Sequence, residues 1–210
     1  MKKPDRTHCI RCGTCCRKGG PALHKEDIHL IKSGKISCKS LVTIREGEPA
    51  FDNVKNQVVS SVSDIIKIRS KNNSRSCIFL DNNKEACKIY DIRPIECKVL
   101  QCWDTTAIER LYDRNRLTRK DLLFETKEIW ELIIDHQQRC GYDRVRQLSD
   151  NRNDRDKSRI EEIRFLVRYD AHLRSLLSEK GGMAPDIMDF LFGQPLSVTI
   201  RRLGVVMDNI

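Results

Sequence analysis

Four thiols fall within eight residues in the run Cys9-Ile10-Arg11-Cys12-Gly13-Thr14-Cys15-Cys16, spaced C-x2-C-x2-C-C. An uninvolved surface has no use for such a run. Each C-x2-C step lets two sulfurs turn toward one centre at about the 2.3 Å bond length of zinc thiolates. Gly13 permits the sharp backbone turn that this wrapping demands. The run predicts a metal centre, with zinc and iron both open.

The chain has 210 residues and ten cysteines. A chain of this length buries enough surface to fold without a metal to make up for small size. A disulfide framework is disfavoured, because Cys15 and Cys16 are adjacent and Met1–His8 has no apolar core of an export signal. The expected setting is therefore the cytoplasm. No window approaches 18 uncharged apolar residues, so no membrane span is expected. Net charge is +9, and residues 1–102 carry 20 Lys/Arg against 11 Asp/Glu while residues 103–210 carry 19 of each. All the excess positive charge thus shares a half with nine of the ten cysteines. Lys and Arg near thiolates lower their pKa and offset their charge. A nucleic-acid patch is the competing explanation; it is disfavoured because the basic residues are scattered among the cysteines with little aromatic interleaving.

Along the chain, residues 25–33 read as a short helix ended by Gly34. Ile36 to Arg45 reads as extended, and Gln57–Val62 and Asp64–Arg69 as strands of a small irregular sheet. The second cysteine group follows as Cys77-Ile-Phe-Leu, the turn Asp81–Lys84, Cys87-Lys-Ile-Tyr90, Arg93-Pro94-x-x-Cys97 and Cys102. A hairpin brings Cys77 toward Cys87. Pro94 suits the first turn of a helix, and Cys97 falls one turn later, facing back toward its start, where the helix dipole favours thiolate charge. From Asp104 the pattern is helical. A segment at 106–116 precedes a long helix at 119–138 opened by a capping box at Thr118-Arg119-Lys120-Asp121. A short helix near 143–149, a charged linker Ser149–Asp156, a helix at 154–179 with a capping signal at Ser158, and a short helix from Pro185 complete the chain. The expected fold class is α+β, a small cysteine-rich metal-binding domain with a short antiparallel sheet (residues 1–105) followed by a helical extension (residues 106–210).

Joined as C-x2-C-x2-C-C, C-x-F-L, C-x-I-Y and R-P-x-x-C, these motifs resemble the YkgJ-type cysteine-cluster family, known as a zinc- or iron-chelating domain. The resemblance covers about residues 5–105 and implies bound zinc or iron. Cys102 lies beyond its core pattern. A related cysteine-cluster region occurs in flagellin lysine N-methylases, which implies cluster-dependent methyl transfer as one activity. No G-x-G-x-x-G nucleotide loop accompanies it here.

The candidate ligands are Cys9, Cys12, Cys15, Cys16, Cys77, Cys87, Cys97 and Cys102. An all-thiolate set suits zinc and iron–sulfur centres alike, and the first three cysteines match the opening of the bacterial ferredoxin run. On an extended backbone Cys15 and Cys16 point apart. Mixed ligation is therefore expected, with both segments giving sulfurs to one site. Tyr90 and Arg93 are expected beside the centre, against the alternative that Arg93 pairs with Asp91 or Glu96. Cys38 and Cys140 read as core thiols, and His8, His24 and His29 as surface residues. Two functions follow. One is a metal-binding protein with redox or transferase activity, partnered by its metal or cluster. The other is a zinc-stabilised module that binds nucleic acid or an acidic protein.

Overall fold

The computed structural model describes residues 7–71, 74–149 and 157–203. In chain order the regular elements are α1 (Ile28–Lys32), β1 (Leu41–Ile44), β2 (Pro49–Asp52), β3 (Gln57–Ser60), β4 (Ile65–Ile68), β5 (Leu80–Asp81) and β6 (Ala86–Cys87). They continue with α2 (Ile95–Val99), α3 (Thr106–Leu111), α4 (Arg119–Leu123), α5 (Lys127–Arg139), α6 (Tyr142–Ser149), α7 (Lys157–Glu179), α8 (Met188–Phe192) and α9 (Leu196–Thr199). Short antiparallel pairing precedes a mostly helical second half, so the α+β expectation holds.

The residues fall into two compact units. One, the cysteine unit, joins the chain up to Leu41 with Ile66–Leu117; the other, the helical unit, joins Val42–Ile65 with the chain from Thr118 onward. The division is not a single cut, because the chain leaves the cysteine unit along β1 and returns along β4.

In the cysteine unit three extended stretches lie side by side. The Leu23 N–H donates to the Ile66 carbonyl at 2.8 Å, the Leu117 N–H to the Leu23 carbonyl at 2.8 Å and the Ile68 N–H to the Pro21 carbonyl at 3.0 Å. Leu23, Leu30, Ile36, Ile66, Ile68, Leu80 and Leu117 form its buried interior. Gly20 is where the backbone passes closest to this interior: a Cβ there would stand 2.0 Å from the Ile68 carbonyl oxygen. Only glycine fits.

The helical unit starts with the hairpin β2–β3, in register Ala50↔Val59 and Phe51↔Val58. The β2 strand is absent from the sequence reading, since Pro49-Ala-Phe-Asp is too short and too mixed to show alternation. Cys140, Tyr142, Val145, Ile163, Leu166, Val167, Leu196 and Ile200 make one apolar core. The expected Thr118 capping box is present, with Thr118 and Asp121 exchanging hydrogen bonds. The expected single helix over 119–138 is instead two. Thr126 leaves the helical backbone at φ −92°, ψ 80° and becomes the N-cap residue of α5, without a side-chain capping hydrogen bond. Ser158 lies inside α7, and the linker residues 150–156 lie outside the described residues. The stretch Leu196–Leu203 is helical, as α9 followed by a 3-10 turn at Ile200–Leu203.

Candidate metal centre

Three pieces of the cysteine unit carry the thiols. The first is the loop through Cys9–Cys15, which closes into a 3-10 turn at Cys16–Lys18. Arg11 and Gly13 wind the loop with φ of 57° and 68°, and the Arg17 N–H returns to the Gly13 carbonyl at 3.0 Å. Cys15 is helical, at φ −64° and ψ −41°. A helical step turns successive side chains by roughly 100° instead of the strand's alternation. The Cys15 and Cys16 sulfurs consequently stand 4.0 Å apart. This overturns the expectation that adjacent cysteines point away from each other. Four thiolates around zinc at 2.3 Å have sulfurs about 3.8 Å apart by tetrahedral geometry, so this pair spans roughly one edge.

The second piece is the hairpin. Its entry is fixed by the Cys77 N–H donating to the Cys16 carbonyl at 2.7 Å, and its register sets Leu80 opposite Cys87. Cys87 lies near enough to Cys16 for the two thiols to influence each other's titration. The third piece is α2, which Pro94 precedes as the N-cap residue, so that Cys97 lies in its first turn rather than one turn later. What anchors this helix was not legible in the sequence. Asp27 accepts the Ile95 N–H at 2.9 Å through Oδ1 and the His24 N–H at 3.1 Å through Oδ2. Glu96 accepts the Ala22 N–H at 2.7 Å and faces His24 Nε2 at 3.2 Å. His24 Nδ1 donates to the Arg114 carbonyl at 2.6 Å.

His24 is therefore buried at 0% exposure, which corrects its surface placement. Its partners lie 72 and 90 residues away in sequence, beyond any local pattern. His29 is exposed, as expected.

The thiols act on one another. The neighbouring Cys15 and Cys87 thiols, together with burial, push the Cys16 pKa far up. The Cys16 thiol in turn lowers Cys15 and Cys87 to about 6 each, against burial. Arg93 adds a smaller electrostatic pull on both. Burial raises Cys77 and, much further, Cys97, which also feels the charges of Cys15, Cys77 and Cys87. Cys15, Cys16, Cys77, Cys87 and Cys97 are thus near enough to feel one another's charge. Cys9, Cys12 and Cys102 are exposed at the margin. Cys9 Sγ accepts the Arg11 N–H at 3.4 Å, and Cys12 Sγ lies 3.2 Å from Thr14 Oγ1. Among the described residues no group of three or more Cys, His, Asp or Glu side chains stands placed to hold a metal ion. Cys38 is half-buried and stands apart, whereas Cys140 is in the helical core.

Arg93 makes no ion pair with Asp91 or Glu96. Its guanidinium lies 3.8 Å from the Tyr90 ring centroid, and its Nη1 donates to the Tyr90 carbonyl at 3.1 Å. Arg11 also lies 3.8 Å from that centroid. The sequence reading missed Arg11, although its place inside the first cysteine run was a signal. Arg17 donates to the Cys12 carbonyl at 2.9 Å and pairs with Glu85 at 2.6 Å.

A family model for CxxCxxCC proteins, described as "Putative zinc- or iron-chelating domain", matches residues 8–115, just over half of the chain. The chain is a CxxCxxCC-family protein. It is also 33% identical over 92 residues to the uncharacterized protein MJ0661 of Methanocaldococcus jannaschii, an overlap covering 44% of this chain and 42% of that one. The chain therefore spans less than half the length of the curated relative it matches. No solved structure matches. The CxxCxxCC assignment agrees with the donor set, since gathered thiols suit thiophilic zinc and iron. No helix among the described residues is long and apolar enough to cross a membrane.

Proposed function

We propose that this CxxCxxCC protein holds a single thiolate-bound metal ion, zinc foremost, with ligands drawn from Cys15, Cys16, Cys77, Cys87 and Cys97. One observation carries this reading: the 4.0 Å separation of the Cys15 and Cys16 sulfurs, which suits two ligands of one tetrahedral ion. Cys9, Cys12 and Cys102 complete or guard the site from exposed segments. Arg93, stacked on Tyr90, sits beside it and offsets thiolate charge. When bound, the metal cross-links the loop, the hairpin and α2 and keeps its thiolates deprotonated. The chain's own contribution is to bring these pieces together. The Cys77 N–H bond to Cys16 docks the hairpin, and Asp27 and Glu96 hold the start of α2.

An iron–sulfur cluster is the second reading, favoured by the ferredoxin-like C-x2-C-x2-C opening. A redox or methyl-transfer role rests on the family likeness and has no further side-chain set behind it. A nucleic-acid role draws on the basic half, yet Arg11, Arg17 and Arg93 are engaged with Tyr90 and Glu85. A reducing compartment such as the cytoplasm suits a site of free thiols.

Metal and sulfide analysis of protein purified without oxygen tests the reading. One zinc or iron per chain without acid-labile sulfide is expected, with retention lost in Cys16→Ser. Labile sulfide with a visible absorption band replaces the single ion by a cluster. Full metal retention in Cys16→Ser overturns the ligand set.

A further inference from the structure

Tyr90 lies three residues after Cys87, Arg93 four before Cys97, and Arg11 between Cys9 and Cys12. Each residue of this trio therefore belongs to a different thiol-bearing piece or to the join between two. Both guanidinium carbons stand 3.8 Å from the Tyr90 ring centroid. At van der Waals contact each guanidinium covers a ring face, so the two occupy opposite faces roughly 7–8 Å apart.

The two cations are held differently. Arg93 is half-buried and is pinned by its bond to the Tyr90 carbonyl at 3.1 Å. Arg11 is exposed, and no carboxylate among the described residues pairs with it. Its backbone sits at φ 57°, a left-handed conformation that a residue other than glycine adopts at a cost. The Tyr90 ring is the contact that repays this strained turn and draws the loop of Cys9 and Cys12 toward the hairpin.

We propose that Arg11, Tyr90 and Arg93 form a latch that holds the N-terminal cysteine loop against the thiol cluster and slows the loss of bound metal. The latch rests on the reading that these thiols hold metal. Tyr90 and Arg93 are the fixed jaw and Arg11 is the moving one. Two cations facing each other across one ring repel. Four thiolates around a divalent ion carry net negative charge, which offsets that repulsion. Metal binding therefore tightens the latch, and by linkage the closed latch strengthens metal retention. All three are positioning residues rather than ligands.

The test uses the full chain loaded with zinc and follows zinc transfer to a chromogenic chelator. Tyr90→Leu and Arg11→Gln are expected to release zinc about two- to fivefold faster, the scale of losing an exposed cation–π contact, with stoichiometry unchanged. Tyr90→Phe keeps both ring faces and is expected to release at the wild-type rate. Arg11→Lys, which keeps charge without the planar stack, is expected to fall between. In metal-free protein, Cys12 is expected to alkylate faster in Tyr90→Leu than in Tyr90→Phe. Equal release by Arg11→Gln and wild type overturns the latch even if Tyr90→Leu folds poorly, as does Tyr90→Phe releasing as fast as Tyr90→Leu. A wild-type chain that retains no zinc overturns the metal reading and the latch with it; retained zinc with equal rates overturns the latch alone.

Discussion

His24 in the cysteine unit and His136 in the helical unit are both fully buried, yet their surroundings favour opposite protonation states. Both nitrogens of His24 face acceptors, the Arg114 carbonyl and Glu96. Burial works to lower its pKa, but these partners outweigh burial and hold it above 6.5. His136 donates from Nε2 to Asp170 at 2.7 Å, while its Nδ1 faces Arg45 Nη1 at 3.5 Å. It must keep that lone pair, and burial lowers its pKa to about 4 despite Asp170.

The contrast extends to the whole of each unit. Asp170 also accepts from Arg174 at 2.9 Å and from the Leu196 N–H at 2.8 Å. Arg119 forks onto Asp64 at 2.6 and 2.9 Å and donates to the Leu191 carbonyl. These buried charges of the helical unit are thus paired within the chain, although Nε and Nη2 of the fully buried Arg45 have no hydrogen-bond partner among the described residues. In the cysteine unit the carboxylates are spent on anchoring α2, and the gathered thiols have chiefly one another. Stability in one unit is intrinsic, whereas the other leaves its most concentrated chemistry for a ligand.

The largest expected effect separates the units through metal. Stripping metal with a strong chelator should destabilise the cysteine unit by several kcal/mol and leave the helical unit's amide protection unchanged, as hydrogen exchange resolved by residue would show. Equal loss of protection in both units would break the comparison.

Next comes Asp170→Ala, which strands His136 and Arg174. It should cost the helical unit about 3–5 kcal/mol in denaturant unfolding without altering metal content.

The two histidines then give opposite pH dependences. His136 is lowered in the fold, so its contribution is lost as pH falls from about 6.5 toward about 4; at the low end this amounts to about 3 kcal/mol. His136→Gln should abolish that part of the acid sensitivity. His24 is raised, so its contribution is complete below 6.5 and fades as pH rises through the folded value. Exchange corrected for intrinsic rate, compared at pH 5 and pH 8, should therefore show the helical unit relatively weaker at the lower pH.

The smallest effect concerns Glu96→Gln. Losing the charged half of its bonds to His24 and the Ala22 N–H should cost about 1–2 kcal/mol and weaken metal retention, with the thiol count unchanged. A chelator titration that matches wild type would show that α2 needs no such anchor.

Much of this was legible because it is local. The C-x2-C-x2-C-C spacing, the β5–β6 hairpin, the helix start after Pro94 and the Thr118 cap each lie within a few residues, and the structure has them where the pattern puts them. Other features turned on backbone details that composition does not fix. Thr126 splits what reads as one helix. A helical φ, ψ at Cys15 turns a strand-like pair of diverging thiols into neighbours.

By itself the sequence determined the chemistry available: soft thiolate donors, a basic setting for them and two regions of different character. It did so because ligand type and short-range spacing are written directly in the chain. Tertiary structure alone decided which thiols meet, that Arg11 joins Arg93 on Tyr90, and that His24 and His136 are buried with opposite needs. Each of these depends on partners tens of residues apart, brought together by burying apolar surface that belongs to neither partner.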